Sequence, residues 1–182
     1  EIRDLDTAKT ALQAALTGHL VLSTYHANNA ASALTRMLDA IGENPLYSSA
    51  IKLIQAQRLV RKLDDSTKHQ ANINDATKEM ISKIVDSFPV SLEKFNLEST
   101  PFYDPGSSAD NPFGFNDQLA IRELLLMTPE MLQLLRKPAR EITTDQIQKT
   151  AETSGMITML QDGISKAAAG VTTLEEIFRV VD

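Results

Sequence analysis

The fold prediction starts from the segment Thr17-Gly18-His19-Leu20-Val21-Leu22-Ser23-Thr24-Tyr25-His26-Ala27-Asn28-Asn29. Its aliphatic run does not alternate with polar residues, which predicts a strand buried on both faces, as in a parallel sheet. Polar side chains follow this run, and ligands of open α/β sheets lie beyond the carboxyl ends of the strands. The stretch therefore predicts an α/β fold with a ligand site near Thr24 and His26.

Helices are predicted before and after this strand. Asp6 or Thr7 can cap the first helix, which ends at residue 17, because short polar side chains accept the free N–H groups of a first turn. Asn28 or Asn29 can cap the second helix in the same way. Strand and helix therefore alternate in this part of the chain.

A third helix is predicted to begin at Pro45, since a proline at the first helical position loses no hydrogen bond. Its buried stripe would contain Leu46, Ala50, Leu53 and Ile54. The next segment, residues 57–63, is short and mixed, so it is predicted to be either a strand or the end of that helix.

The net charge of −6 is concentrated in one segment, which we call the acidic segment. Residues 64–118 hold ten acidic residues and four lysines, which gives −6, so the rest of the chain is neutral. Such a segment repels a nucleic-acid backbone, which disfavours sequence-independent DNA binding. We interpret it as a solvated insertion with a helix capped by Asp75 and a loop over residues 98–116.

The remainder, residues 119–182, is predicted to be one strand over 119–127 followed by helices. The helices are predicted to begin at Thr128, at Thr143, after Gly155 and at Thr172. Because helices cluster here, the predicted fold class is α/β with a mainly parallel sheet, plus a C-terminal helical bundle.

Composition excludes several kinds of site. The chain has no cysteine, so disulfides and cysteine-ligated zinc are excluded. No apolar run approaches the ~20 residues that span a bilayer. The three histidines are scattered, and the sequence contains no nucleophile elbow and no dinucleotide-binding glycine motif.

A few residues could carry chemistry. Glu1 could orient and polarise an attacking water, and His26 could hydrogen-bond a phosphate or that water. Arg58 and Arg61 have the fork geometry that binds phosphate, although an ion pair with a carboxylate is the alternative. By spacing alone, His19 is predicted to be a packing residue at the start of the strand.

Four segments resemble one family, the type II secretion and type IV pilus assembly ATPases. Residues 1–8, Glu-Ile-Arg-Asp-Leu-Asp-Thr-Ala, resemble the end of its Walker B motif, and residues 14–26 look like its histidine box. Residues 57–61, Gln-Arg-Leu-Val-Arg, match a further family stretch. Residues 170–180 resemble the closing helix of the family.

The resemblance implies a RecA-like P-loop NTPase core in a hexameric cytoplasmic motor that uses ATP and Mg²⁺. Such a motor lies at the periphery of the inner membrane, acts on a platform protein there and binds no nucleic acid. Residues 1–63 would be the C-terminal half of the core, 64–118 would replace a zinc arm, and 119–182 would form a strand and a helical subdomain. No zinc is expected, because the four cysteines of that arm are missing.

The resemblance also implies roles for single residues. Glu1 would be the catalytic residue that orients the water. His19, His26 and Thr24 would sense the bound nucleotide. Arg58 and Arg61 would contact a phosphate or a neighbouring subunit.

The phosphate-binding loop of the family is not in the sequence and is expected upstream of Glu1. The chain by itself is therefore expected not to hydrolyse ATP. Two other functions remain open. One is a non-catalytic nucleotide-sensing or partner-binding module of the same machinery. The other is a DNA-handling RecA-like ATPase, which the acidic segment disfavours.

Overall fold

A computed structural model describes residues 1–41 and 49–181. In chain order its elements are α1 Leu5–Leu16, α2 Ala30–Ile41, β1 Leu53–Leu63, β2 His69–Gln70, α3 Asp75–Asp86, β3 Tyr103–Asp104, β4 Phe115–Leu126, α4 Pro129–Leu134, a 3-10 turn Ala139–Glu141, α5 Thr144–Thr153, α6 Met159–Ala168 and α7 Leu174–Val180. The mixed α/β character predicted from the sequence is confirmed.

The chain divides into two compact units. The first unit comprises Glu1–Ala56 and Glu123–Met156, and the second comprises Gln57–Arg122 and Ile157–Asp182. The division predicted at 63/64 and 118/119 stays a prediction. Among the described residues, none of the helices has both the length and the apolar character of a membrane span.

Side-chain caps fix the starts of the first two helices. The Asp4 carboxylate accepts the Thr7 N–H at 2.8 Å, so α1 begins earlier than predicted and neither Asp6 nor Thr7 is its cap. Asn29 caps α2 as predicted, since its side-chain oxygen accepts the Ser32 N–H at 2.8 Å.

The first unit buries the apolar faces of both helices. Ala8 and Leu12 of α1 pack with Ile41. Leu34 and Leu38 of α2 belong to a larger core, which residues of β4, α4 and α5 complete. Each of the two helices therefore contributes buried apolar side chains to a core of the first unit.

The prediction of the third helix is wrong at its C-terminal end. Leu53 and Ile54 belong to β1, which continues through residues 57–63 and alternates exposed with more buried side chains along most of its length. This segment is extended because it pairs with β4. Its side chains alternate between a covered and an exposed face, as the period of two in a β-strand requires. Ala50 is helical, whereas Pro45 and Leu46 lie outside the described residues.

The strands pair antiparallel, so the prediction of a mainly parallel sheet is wrong for the described residues. β1 pairs with β4. The Met127 N–H donates to the Lys52 C=O at one end and the Asp64 N–H to the Gly114 C=O at the other, which fixes the antiparallel direction. β2 pairs antiparallel with β3.

The predicted buried strand at residues 20–22 is also wrong in this structure. No strand is formed there, and Leu20 and Leu22 are 89% and 86% exposed. An apolar run becomes a doubly buried strand only where other strands and helices cover it. Among the described residues, no strand pairs with this segment.

The second unit packs α3, α6 and α7 around one apolar core. Its fully buried members include Ile81, Ile164 and Ile177. Two caps differ from the predicted ones by one residue: Asn74 rather than Asp75 caps α3, and Thr173 rather than Thr172 caps α7.

Two other predicted caps are present. Thr143 and Gln146 form the capping box that starts α5, and both of its reciprocal bonds are made. Thr128 caps α4 directly before a proline at the first helical position. Both signals are local, which is why the sequence alone reveals them.

Candidate functional site

The carboxylate of Glu1 lies between an imidazole and a guanidinium. Its Oε1 is 2.8 Å from Nε2 of His26, and its Oε2 accepts a hydrogen bond from Nη2 of Arg3 at 2.7 Å. The Ile2 N–H donates to the Thr24 C=O at 3.0 Å and so holds the two chain segments side by side. Glu1 and His26 are therefore in direct contact although they are distant in the sequence.

These neighbours favour the ionised form of Glu1. The hydrogen bond from Arg3 has the largest effect and lowers the pKa of the Glu1 carboxyl, and the charge of His26 lowers it further against the opposing effect of burial. The Glu1 side chain is 24% exposed. Because each carboxylate oxygen can accept about two hydrogen bonds, a water can still bind to Glu1.

Helix α2 fixes the backbone of the segment that carries His26. Nη1 of Arg36 donates to the His26 C=O at 2.7 Å. The same guanidinium lies 5.6 Å from the centre of the Tyr25 ring, within the range of a cation–π contact. The His26 side chain itself is 89% exposed, so the backbone is held while the ring faces solvent.

A buried carboxylate that sequence analysis missed anchors the start of α2. Glu123 of β4 is 4% exposed, and its Oε1 accepts the Ala30 N–H at 2.7 Å. Ala30 is the first residue of α2, where an acid satisfies a free N–H and interacts favourably with the positive end of the helix. The two residues are far apart in the sequence, so no local pattern signals the contact.

The other two predicted sensors are placed differently. The side chain of Thr24 is exposed, and its backbone C=O is bonded to the segment that carries Glu1. Nδ1 of His19 lies 3.2 Å from Oγ1 of Thr17 and 3.3 Å from the Ala14 C=O, at the end of α1. These contacts are local, and the structure does not bring His19 into contact with Glu1.

Arg61 takes part in the ion pair that the sequence leaves open as an alternative. Nη2 of Arg61 donates to Glu176 at 2.7 Å, and its guanidinium lies 4.0 Å from the centre of the Phe115 ring. Arg58 is half-buried on the same strand. Phosphate or subunit contact by Arg58 and Arg61 stays a prediction.

The side chains around Glu1 suit a bound water better than a bound metal ion. Within residues 1–41 and 49–181, no group of three or more acidic or histidine side chains could hold a metal ion. Mg²⁺ usually keeps several waters and takes one or two carboxylates plus phosphate oxygens. Glu1 is one carboxylate with both oxygens already bonded to Arg3 and His26.

Comparison with known proteins supports the resemblance seen in the sequence. The chain is 42% identical over 188 residues to the type II secretion system protein E of Xanthomonas campestris pv. campestris, covering 100% of this chain and 30% of that protein. It is 35% identical over 179 residues to the type IV pilus assembly ATPase PilB of Thermus thermophilus, and this match covers 97% of this chain and 19% of that protein. The chain thus spans less than a third of the length of these relatives.

A solved structure and a family profile complete the comparison. The chain is similar to the ATPase DotB of Legionella pneumophila, with a TM-score of 0.61 and 19% identity, over 100% of this chain and 37% of that one. Identity this low supports a shared fold alone. The profile of the family described as "Type II/IV secretion system protein" matches residues 1–179. With this match over nearly its whole length, the chain belongs to the type II/IV secretion system protein family.

Proposed function

We propose that this chain is part of a motor ATPase that drives type II secretion or type IV pilus assembly. The observation that supports an enzymatic role is the contact between Glu1 and His26. The parent protein would be a cytoplasmic homohexamer at the periphery of the inner membrane. There it would act on a platform protein of the secretion or pilus system.

In this mechanism Glu1 accepts a hydrogen bond from the water that attacks the γ-phosphate of ATP. The carboxylate is ionised at neutral pH, and the contacts with Arg3 and His26 fix its orientation. Mg²⁺, when bound with ATP, neutralises the negative charge that develops on the phosphates. Glu1 therefore supplies a fixed anionic acceptor for the water.

His26 would report whether the γ-phosphate is present. Its exposed ring contacts Glu1 through Nε2. A phosphate oxygen placed beside the ring is a strong acceptor and would compete with Glu1 for that N–H. The change would reach α2 through Arg36, which is bonded to the His26 backbone. Thr24 would act beside the same pair, since its C=O is bonded to Ile2.

For His19, Arg58 and Arg61 the support is the resemblance alone. We propose that His19 senses nucleotide state, and that the two arginines contact a phosphate or a neighbouring subunit in the hexamer. For Arg61 this requires a rearrangement of the Glu176 ion pair, or a contact through the part of the guanidinium that the pair leaves exposed.

The parent would fold as a RecA-like core. In that core, strands outside these 182 residues would cover the exposed Leu20 and Leu22. ATP and Mg²⁺ would bind a phosphate-binding loop of the parent, because the sequence here contains no Gly-x-x-x-x-Gly-Lys pattern. Zinc is not expected, since the acidic segment has no cysteine.

The test is ATP turnover by the full-length parent carrying Glu1→Gln, which keeps the shape of the side chain and removes its charge. Turnover should fall by about 100-fold or more, while nucleotide affinity changes by less than about twofold. Asp39→Asn is a matched control, since Asp39 is an exposed acid of α2 outside the segments that resemble the family motifs.

Two results would count against this proposal. If Glu1→Gln hydrolyses ATP at the wild-type rate, Glu1 has no catalytic role. Nucleotide binding without turnover by the wild-type parent would instead support the alternative, a non-catalytic sensing or partner-binding module.

A further inference from the structure

The carboxylate of Glu123 lies on the covered face of strand β4. Side chains of a strand point alternately to its two faces, and Glu123 and Leu125 are both buried. Leu124 and Leu126, which alternate with them, are exposed. Leu125 packs in the same core as Leu34 of α2. The strand therefore holds the Glu123 side chain on the side of β4 that packs against α2.

One hydrogen bond joins this carboxylate to the first turn of α2. Its Oε1 accepts the N–H of Ala30, the first residue of the helix, at 2.7 Å, and both residues are buried. A hydrogen bond to an ionised acceptor is stronger than one between neutral groups, and the carboxylate also lies at the positive end of the helix dipole. The position of the first turn of α2 therefore depends on Glu123.

The first turn of α2 in turn determines where His26 lies. Three residues, 27–29, separate His26 from Ala30. Arg36 of the same helix donates to the His26 C=O at 2.7 Å. A displacement of α2 would therefore move His26 both through the short connecting segment and through the Arg36 guanidinium.

We propose that Glu123 is a positioning residue of the ATPase site. By fixing the start of α2, it keeps Nε2 of His26 at 2.8 Å from Oε1 of Glu1. The inference rests on the proposed function, in which Glu1 orients the attacking water. Because a hydrogen bond weakens steeply when its partners move apart, loss of Glu123 would release His26 and leave Glu1 less well oriented. Misplacement of a reacting group lowers the rate of the reaction more than the affinity for substrate.

A purely structural role of Glu123 is the alternative, and two conservative variants help to separate the roles. Glu123→Gln removes the charge but keeps an oxygen within reach of the Ala30 N–H. Glu123→Asp keeps the charge but withdraws the acceptor by one methylene group. Positioning depends on an acceptor at this place, so the glutamine variant should resemble the wild type and the aspartate variant should resemble Glu123→Ala. The reverse order would overturn the proposal.

The first experiment measures ATP hydrolysis by the full-length parent. Glu123→Ala and Glu123→Asp should lower kcat by about tenfold or more and change KM by less than about twofold, whereas Glu123→Gln should keep kcat within about threefold of the wild type. Thr128→Ala is the control, because it removes the cap of α4 and so costs stability elsewhere in the same unit. An equal loss of kcat in this control, or wild-type kcat in Glu123→Ala, would overturn the proposal.

A second experiment follows His26 without turnover. Carbon–proton nuclear magnetic resonance of the 182-residue chain resolves the rings of its three histidines, and Glu1→Gln gives the His26 signal expected when the contact with the carboxylate is weakened. Glu123→Ala should move the His26 signal towards that position and leave the signals of His19 and His69 in place. An unmoved His26 signal, or equal movement of all three signals, would overturn the proposal.

The two experiments also separate failure of this inference from failure of the proposed function. If the His26 signal moves in Glu123→Ala but Glu1→Gln hydrolyses ATP like the wild type, the proposed function fails although Glu123 does position His26. If Glu1→Gln loses turnover whereas Glu123→Ala keeps both the wild-type His26 signal and the wild-type kcat, the proposed function stands and Glu123 has no positioning role.

Discussion

Arg61 and Glu176 are joined by two hydrogen bonds, one from the guanidinium at 2.7 Å and one from the backbone N–H at 2.8 Å. The Glu176 side chain is 1% exposed, and Arg179 donates to both of its carboxylate oxygens. The Thr172 hydroxyl donates to the Arg61 C=O at 2.8 Å. A charged cluster therefore fixes α7 to β1 within the second unit.

This cluster predicts that stability depends on pH. Burial raises the pKa of Glu176, but the hydrogen bonds from Arg179 and Arg61 outweigh burial and lower the pKa from 4.5 to about 2. A carboxylate with a lowered folded-state pKa stabilises the fold above its unfolded pKa, and that stability is lost as the pH falls through the folded pKa. The contribution is on the order of 3 kcal/mol and should be lost between about pH 4.5 and pH 2.

Urea unfolding of the wild type and of Glu176→Gln measures this effect. The difference in the free energy of unfolding should be largest at pH 7 and fall to about half at pH 3. Glu175→Gln changes an exposed acid of the same helix and should shift stability by less than about 0.5 kcal/mol. A difference that is equal at both pH values would show that the charge of Glu176 is not responsible.

Glu123 should stabilise the first unit through the start of α2. In Glu123→Ala the Ala30 N–H loses its buried acceptor, which should cost about 1–3 kcal/mol in the free energy of unfolding. Glu123→Gln keeps an oxygen acceptor and should cost less. Chemical unfolding compares both with Glu152→Ala, an exposed position on α5. Equal stability of the alanine variant and the wild type would contradict this role.

Arg36 should position His26 without touching the nucleotide. In the full-length parent, Arg36→Ala should lower kcat for ATP hydrolysis by about tenfold and leave KM nearly unchanged, since misplacement of a positioned group affects the reacting geometry. Asp39→Ala, an exposed change on the same helix, should leave both constants at their wild-type values. A raised KM with normal kcat would mean that Arg36 contributes to binding instead.

Local signals explain what the sequence predicts well. The capping box of Thr143 and Gln146 and the cap at Asn29 need only neighbouring residues, so they can be read directly from the chain. The prediction of a buried strand at Leu20 is wrong, since the residue is exposed. Burial of an apolar run depends on partner strands, and the sequence pattern of the run does not show whether they are present.

Long-range pairs explain what the sequence does not predict. Glu123 caps α2, and Glu176 binds Arg61 through contacts between residues about a hundred positions apart. No periodicity or spacing rule connects residues at such separations. The proximity of Glu1 to His26 follows from the family resemblance rather than from spacing, and the tertiary structure gives its geometry.

The 182-residue chain should not hydrolyse ATP by itself. Its sequence contains no phosphate-binding glycine and lysine pattern, so nothing in it would cradle the β- and γ-phosphates. Phosphate release by the purified chain should equal that of its Glu1→Gln variant within error. Turnover by the chain above that of the variant would show that these residues alone form a catalytic site.

Asp64 and Asn111 hold together the two ends of the acidic segment. Nδ2 of Asn111 donates to Oδ2 of Asp64 at 2.8 Å, and Oδ1 of Asn111 accepts the Gly114 N–H at 3.1 Å. The hydroxyl of Ser66 donates to Oδ1 of Asp64 at 2.7 Å, and this bond is the largest cause of the lowered pKa of Asp64. Hydrogen bonds therefore join the two ends of this segment.

Replacing Asn111 by aspartate should open this closure, because it keeps the shape of the side chain but sets a second carboxylate against Asp64. Two carboxylates at this distance repel, and protonation of one of them relieves the repulsion. The melting temperature of Asn111→Asp should therefore lie below that of the wild type at pH 7, and the gap should narrow at pH 4. Gln118→Glu makes the same change in charge at an exposed position and should melt like the wild type at both pH values. A gap that does not depend on pH would mean that lost hydrogen bonds, and not repulsion from Asp64, cause the destabilisation.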